Sequence, residues 1–320
     1  MLKYLIAISL LICTISSPAQ QNWTRVDSLF EPLPTSIEVW RTSSPVEGKP
    51  SIVYLVRAKL ASPELQFKAD TSYRRRLTPR QFFEKNQAPL LVVNASFFSF
   101  TSHQNFNLLI QNGVLWALNV HAISGKGKDS LSWKHPLGSA IGITKKRRAD
   151  VAWTFTDSSL SIPLAVQMPV MPLKDSHSHF SRKTFKKMLQ PFNKPSPWRM
   201  NTAVGGGPVL VQHGLVAITN EEEMKFAGPA LEDRHPRTAM GYTKEGWLLI
   251  LVAEGRHPGI AEGITLKQTA QLLIDWNCEE GLNLDGGGSS TLLINGKPTI
   301  TPSDKSGERA VPGVFIIKRN

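Results

Sequence analysis

The chain has 320 residues, 41% of them apolar, which is enough material for one large core or two small ones. Its 37 Lys and Arg outnumber 25 Asp and Glu, for a formal net charge of +12. That balance suits a polyanionic partner, yet no nucleic-acid recognition motif accompanies it, and two cysteines are too few for a disulfide-built scaffold.

Residues 1–19 read as a signal peptide. Lys3 precedes an apolar run from Leu5 to Ile15, and Ser17-Pro18-Ala19 supplies small residues for cleavage near Ala19. The run is too short for stable membrane insertion. Acylation of Cys13 is disfavoured, because Leu-Leu-Ile precedes it. The expectation is therefore an exported protein, periplasmic or extracellular, that starts at Gln20. Cleavage leaves Cys278 as the lone thiol, placed by its pattern as a buried small residue in a helix.

Residues 20–50 read as a loose N-terminal lead with one strand near Ile37–Arg41, and the main domain spans 51–320. Ser51–Leu60 alternates as a strand. Thr78-Pro79-Arg80-Gln81 is a capping box with Pro at the first helical position, so a helix runs to about Asn86. Leu90–Asn94 is a buried strand that delivers Asn94 at its end. Asn112-Gly113 and Asn295-Gly296 are hairpin turns. Ser139–Thr144 and Val151–Thr156 are further strands.

Residues 168–200 are Pro-rich, basic and irregular, the composition of an insertion over one face. Val209–Val211 and Leu215–Ile218 flank a turn at Gln212-His213-Gly214. Trp247–Val252 is a long apolar strand. Thr265 with Gln268 starts a second capped helix, expected to end at Gly281. Strands outnumber helices and tight turns join several of them. The predicted class is α+β: a mixed, largely antiparallel sheet with packed helices in a single large domain.

The densest signal is Asn283-Leu284-Asp285-Gly286-Gly287-Gly288-Ser289-Ser290-Thr291. Successive glycines bury no side chain and carry a high folding entropy. They fit a sharp turn or a close approach to a ligand. Free N–H groups there would form an anion-binding nest, with Ser289 and Ser290 as hydroxyl donors and Asp285 as an acid or base. A plain Gly-rich turn capped by Asp285 is the competing reading.

Other segments weigh against the plain turn. They are Asp233-Arg234-His235-Pro236-Arg237-Thr238-Ala239, the apolar strand that ends in Glu254-Gly255-Arg256, and Gly307-Glu308-Arg309. Val92-Val93-Asn94-Ala95-Ser96-Phe97-Phe98 and Gly205-Gly206-Gly207-Pro208-Val209-Leu210 complete the series. In this order the motifs resemble the phosphodiester glycosidase family over roughly residues 50–318. Two positions depart from its usual pattern: Glu254 stands where Asp is usual and Ala95 where Gly is usual. Neither change removes a functional group, but both leave substrate preference open.

The resemblance implies a hydrolase that cleaves a sugar 1-phosphodiester. Such a site needs cations or backbone donors on the phosphate and a carboxylate near the anomeric carbon. Arg237, Arg256 and Arg309 are the phosphate candidates, because a guanidinium binds two oxygens at once. A salt bridge to Glu308 or Glu254 is the competing role for each. Asp285 is the first candidate nucleophile or base and Glu254 the second, with Arg237 completing the catalytic set. Asn94, Arg256, Gly286, Gly287, Gly288, Ser289, Ser290 and Arg309 are the expected substrate-binding residues.

No cofactor or catalytic metal is expected, although a structural calcium ion stays open. His177-Ser178-His179 with Asp175 lacks a metal-site spacing and reads as loop. The expected partner is a sugar-1-phosphodiester or phosphorylated glycan. Two other readings compete: a non-catalytic binding module for acidic cell-surface polysaccharide, and a metal-dependent phosphodiesterase that cleaves P–O bonds.

Overall fold

The computed structural model describes residues 21–320. The signal-like segment and Cys13 lie outside the described residues. Four antiparallel sheets dominate the molecule. The helices are few and short: Pro79–Lys85, Arg182–Met188, Asn220–Glu223 and Leu266–Ile274. The protein is thus a single, mostly β domain, richer in sheet than the α+β expectation. No helix among the described residues is long and apolar enough to cross a membrane.

Three sheets share one core. The eight-stranded sheet contributes Val56, Met240, Ile250 and Leu282, the five-stranded sheet Val93, Phe315 and Ile317, and the seven-stranded sheet Ile141, Trp153 and Val204. Each sheet also has a second buried face. Leu55, Leu249 and Leu251 pack under Leu266, Ala270 and Leu273 of helix Leu266–Ile274. Val92, Leu293, Val314 and Ile316 pack on Phe82 of helix Pro79–Lys85. Ala140, Ala152 and Ala203 pack with Trp198 and Met200. Burial on both faces explains why Trp247–Ala253 reads as an unbroken apolar run instead of an alternation.

Local chemistry decides several boundaries. Thr78 and Thr265 both close capping boxes, with Gln81 and Gln268. The turns at Asn112-Gly113, His213-Gly214 and Asn295-Gly296 all have positive φ at both residues, which matches the twist of tight hairpins. The segment read as a loose lead is instead woven into the eight-stranded sheet: Ile37–Thr42 pairs with Val53–Lys59, and Thr24–Arg25 pairs with Ile37–Thr42.

The second capped helix ends at Ile274, not at Gly281. Asn277 turns the chain at φ 57°, and Cys278–Asn283 continues as a central strand. Cys278 is therefore a buried strand residue, and burial pushes its thiol up to about 12. Gly281 sits inside that strand, where a Cβ would press on Cys278 Sγ, Leu273 and the Met240 carbonyl.

The irregular segment at 168–200 carries ordered elements. Leu173–Asp175 pairs with Trp133–His135, and Phe180 and Phe185 are buried in an aromatic stack with His121, His135 and Phe155. Asp175 Oδ1 lies 3.3 Å from His135 Nε2 and accepts from the His177 N–H at 2.7 Å.

Phe82 is wholly buried between its helix and the five-stranded sheet. Phe82→Ala is expected to cost about 3–5 kcal/mol of unfolding free energy, measured by chemical denaturation. A cost below about 1 kcal/mol would mean that the helix does not anchor that sheet.

Candidate active site

The site lies where the five- and eight-stranded sheets meet. Strand Leu91–Asn94 ends in Asn94, which is fully buried. Its Nδ2 donates to the Asp285 carbonyl at 2.6 Å. Its Oδ1 accepts from Thr238 Oγ1 at 2.9 Å and from the Thr291 N–H at 3.0 Å. One amide thus ties together the first strand, the strand that begins at Arg237, and both ends of the Gly-rich loop. Thr238 Oγ1 also lies 3.2 Å from Ser290 Oγ.

Part of the expected nest is taken up inside the fold. Three of the loop's N–H groups are already committed: Gly287 to Pro236 O, Ser289 to Gly286 O and Ser290 to Gly287 O. Ser289 and Ser290 are both buried, and Ser290 belongs to the Asn94–Thr238 network. What the glycines provide is room. Gly287, at φ +60°, leaves the space that the Arg256 guanidinium fills, with Nη2 3.0 Å from where a Cβ would lie. Gly288 leaves space for the Arg309–Asp304 pair, which any Cβ would overlap.

The three motif arginines differ in how free they are. Arg309 is held by Asp304, Nε to Oδ2 at 2.7 Å and Nη2 to Oδ1 at 2.9 Å. Glu308, its expected partner, instead accepts the Arg80 N–H at the start of helix Pro79–Lys85. Arg237 is 2% exposed and donates only to carbonyls, Nε to Ile264 and Nη2 to Asp233. Burial pushes its guanidinium down to about 10, with Asp233 pulling back up and Arg256 pushing further down. It therefore remains charged at neutral pH. Arg256 is exposed, and no carboxylate lies within ion-pair distance of it among the described residues. Two cations thus face the loop without a protein counter-ion.

The two candidate carboxylates also differ. Asp285 is half-buried. Burial raises its carboxyl to about 6, against the lowering pull of Ser289, Arg309 and the Gly286 N–H. Ser289 Oγ meets full hydrogen-bond geometry with no partner, so its influence on Asp285 is one of proximity. Glu254 is 5% exposed, and both its oxygens are engaged: Oε1 lies 2.9 Å from His257 Nδ1, and Oε2 accepts the Thr301 N–H at 2.8 Å. The structure therefore groups Asn94, Asp285, Arg256, Arg309 and the loop, with Arg237 alongside. Glu254 faces His257 and Thr301 instead.

Aromatic rings line the cations. Arg237 lies over Phe226 at 5.5 Å and Arg309 over Phe100 at 5.4 Å. Phe226 packs edge-on against Phe97 at 6.0 Å. Lys225 sits 5.7 Å over Phe97, with no carboxylate within ion-pair distance among the described residues, and burial lowers its pKa. Its neighbour Glu223 is buried and accepts from Ser139 Oγ, Trp153 Nε1, the Val209 N–H and Thr219 Oγ1. Both side chains fill the space beside Gly207. Nothing local in Glu221-Glu222-Glu223 distinguishes the buried Glu223 from its more exposed neighbours. The available signal was Gly207, whose missing side chain makes the room.

A mostly β protein with this motif order is defined by one family. Residues 86–318 match the phosphodiester glycosidase family, and the chain belongs to it. Human N-acetylglucosamine-1-phosphodiester alpha-N-acetylglucosaminidase is 38% identical over 68 residues, 21% of this chain and 13% of that protein. The Bacillus subtilis protein YomE, described as SPbeta prophage-derived and uncharacterized, is 38% identical over 87 residues, 27% of this chain and 13% of its own length.

The matched stretch is thus a small part of those relatives. The zebrafish glucosaminidase catalytic domain, solved auto-inhibited by its pro-peptide, superposes with a TM-score of 0.56 at 18% identity, over 94% of this chain and 88% of that one. A hypothetical protein from Synechocystis gives 0.59 at 15% identity, over 89% and 62%. These likenesses show the fold.

Truncating Asn94 leaves the Asp285 carbonyl, the Thr238 hydroxyl and the Thr291 N–H without their partner. Asn94→Ala is expected to lower stability by roughly 3 kcal/mol or more, read from denaturant midpoints. A loss under about 1 kcal/mol would show that the amide is dispensable to the junction.

Proposed function

We propose that this protein is an exported hydrolase that cleaves the bond between an anomeric sugar carbon and a phosphodiester. The observation that carries the reading is the placement of Asp285 on the same glycine loop that the Arg256 guanidinium packs against at Gly287, with no carboxylate partner for Arg256 among the described residues. Arg256, with Arg237 beside it, suits the two non-bridging oxygens of a diester. Asp285 is the carboxylate whose oxygens are least committed. A phosphate ester is a good leaving group, so a base or nucleophile matters more than a strong general acid.

In this reading Asp285, ionised, either attacks the anomeric carbon or takes a proton from the attacking water. The anomeric configuration of the product decides which. The C1–O bond breaks, its electrons leave with the phosphate, and water supplies the hydroxyl at C1. Arg256 and Arg309 hold the departing phosphate. Glu254 acts through His257, whose Nδ1 it fixes. Asn94 holds the loop in place. A site built only to bind anions gains nothing from a carboxylate beside its arginines, which favours the enzyme over the binding module. Export rests on the apolar run Leu5–Ile15 and the small residues before Gln20.

Asp285→Asn is expected to lower turnover of a sugar-1-phosphodiester panel by on the order of 10³-fold or more, with an unchanged circular dichroism spectrum. The parent should lose activity as pH falls through about 6, where the Asp285 carboxylate takes up its proton. The stability sign is opposite. A carboxyl raised by burial favours folding while protonated and loses that contribution as pH rises through about 6. The Asn variant should therefore gain stability relative to the parent at pH 8 compared with pH 4. Activity within a few-fold of the parent would remove Asp285 from the reaction.

A further inference from the structure

A cleft of 750 Å³ opens beside residues Ser102 to Asn105, in the loop that also carries Phe100. We propose that it is an oligosaccharide-binding cleft that holds the sugar chain beyond the cleaved linkage. Two large aromatic side chains line it while remaining open to solvent: Tyr73 is 76% exposed and Trp116 59% exposed. Core packing does not account for either. Between them the lining is amide-rich, with Gln104, Asn105 and Gln111, and Arg74 lies 5.0 Å over the Tyr73 ring.

Sugars present apolar C–H faces and a rim of hydroxyl groups. Rings with exposed faces match the first, and amides, which donate and accept together, match the second. Asn105 is only 6% exposed, and its Oδ1 has no hydrogen-bond partner. His103, in the same lining, has an unpartnered buried Nδ1. Unmet polar capacity of this kind at a cleft wall is what ligand or bridging-water hydrogen bonds satisfy. The one acid at the cleft, Asp70, is already paired with Lys85 at 3.0 Å, so Arg74 leaves the surface net positive. That suits a glycan with anionic substituents.

The cleft adjoins the candidate active site through one loop. Phe100 carries the Arg309 guanidinium at 5.4 Å, and Arg76 lies 5.2 Å over the same ring. Ser102 to Asn105, a few residues on, line the cleft. A sugar chain anchored between Tyr73 and Trp116 would reach the Asp285 loop across Phe100. The inference rests on the glycosidase reading for the direction of the chain, but not for the existence of the cleft.

The test is binding of the full-length protein to an array of neutral and phosphorylated oligosaccharides, beside turnover of small sugar-1-phosphodiesters. Oligosaccharide binding is expected, with phosphorylated members preferred. Trp116→Ala and Tyr73→Ala should each weaken it at least about tenfold, as loss of an aromatic anchor does, with unchanged melting and unchanged small-substrate turnover. Asp285→Asn should retain it. No binding to any oligosaccharide, or equal binding by parent and both aromatic variants, overturns the cleft. Binding that depends on both rings, without turnover of any small diester, keeps the cleft and removes the glycosidase reading.

Discussion

The junction of two sheets on a single buried amide is the constraint on which the site depends. Asn94 is sealed from solvent and joins three segments, its own strand, strand Arg237–Thr243 and the Gly-rich loop. An unpaired polar group at this depth costs more than a hydrogen bond ordinarily returns, so the three segments must arrive together or not at all. That requirement fixes the Asp285 backbone relative to strand Arg237–Thr243. The carboxylate of Asp285 is therefore presented by a rigid framework even though it sits in a loop of glycines.

The same loop shows how space becomes chemistry. Gly287 and Gly288 are occupied, from outside, by the Arg256 guanidinium and the Arg309–Asp304 pair. Positive charge is thereby brought close to a carboxylate without forming a tight ion pair with it. Desolvation, opposed by Arg309 among others, leaves the Asp285 carboxyl at about 6. A carboxylate in that range is ionised at neutral pH and still basic enough to act on water or carbon. The aromatic rings beneath Arg237 and Arg309 hold the cations by their faces.

Much of this was legible in the sequence because it is local. The capping boxes at Thr78 and Thr265, the hairpins at Asn112 and Asn295, and the burial of strand Trp247–Ala253 follow from neighbours a few residues apart. The motif order also groups Asn94, Asp285, Arg256 and Arg309, which the fold places around one loop. What depended on distant packing was not legible. The helix from Leu266 stops at Ile274 because Cys278–Asn283 is needed as a central strand against Arg237–Thr243, and no nearby residue signals that. The partner of Arg309 is Asp304 instead of the adjacent Glu308, which turns to the Arg80 N–H. Glu223 is indistinguishable in sequence from Glu221 and Glu222, and only the fold sets it against Gly207. Of the three glycine N–H groups, Gly287 donates to Pro236 O, a partner that only the fold brings beside it.

The central claim is that the protein breaks a bond to carbon and not to phosphorus. Hydrolysis of a sugar-1-phosphodiester in oxygen-18 water, followed by mass spectrometry of both products, tests this most directly. Attack directed by Asp285 at the anomeric carbon places the label in the sugar. Label in the phosphate would mean P–O cleavage and would contradict the account.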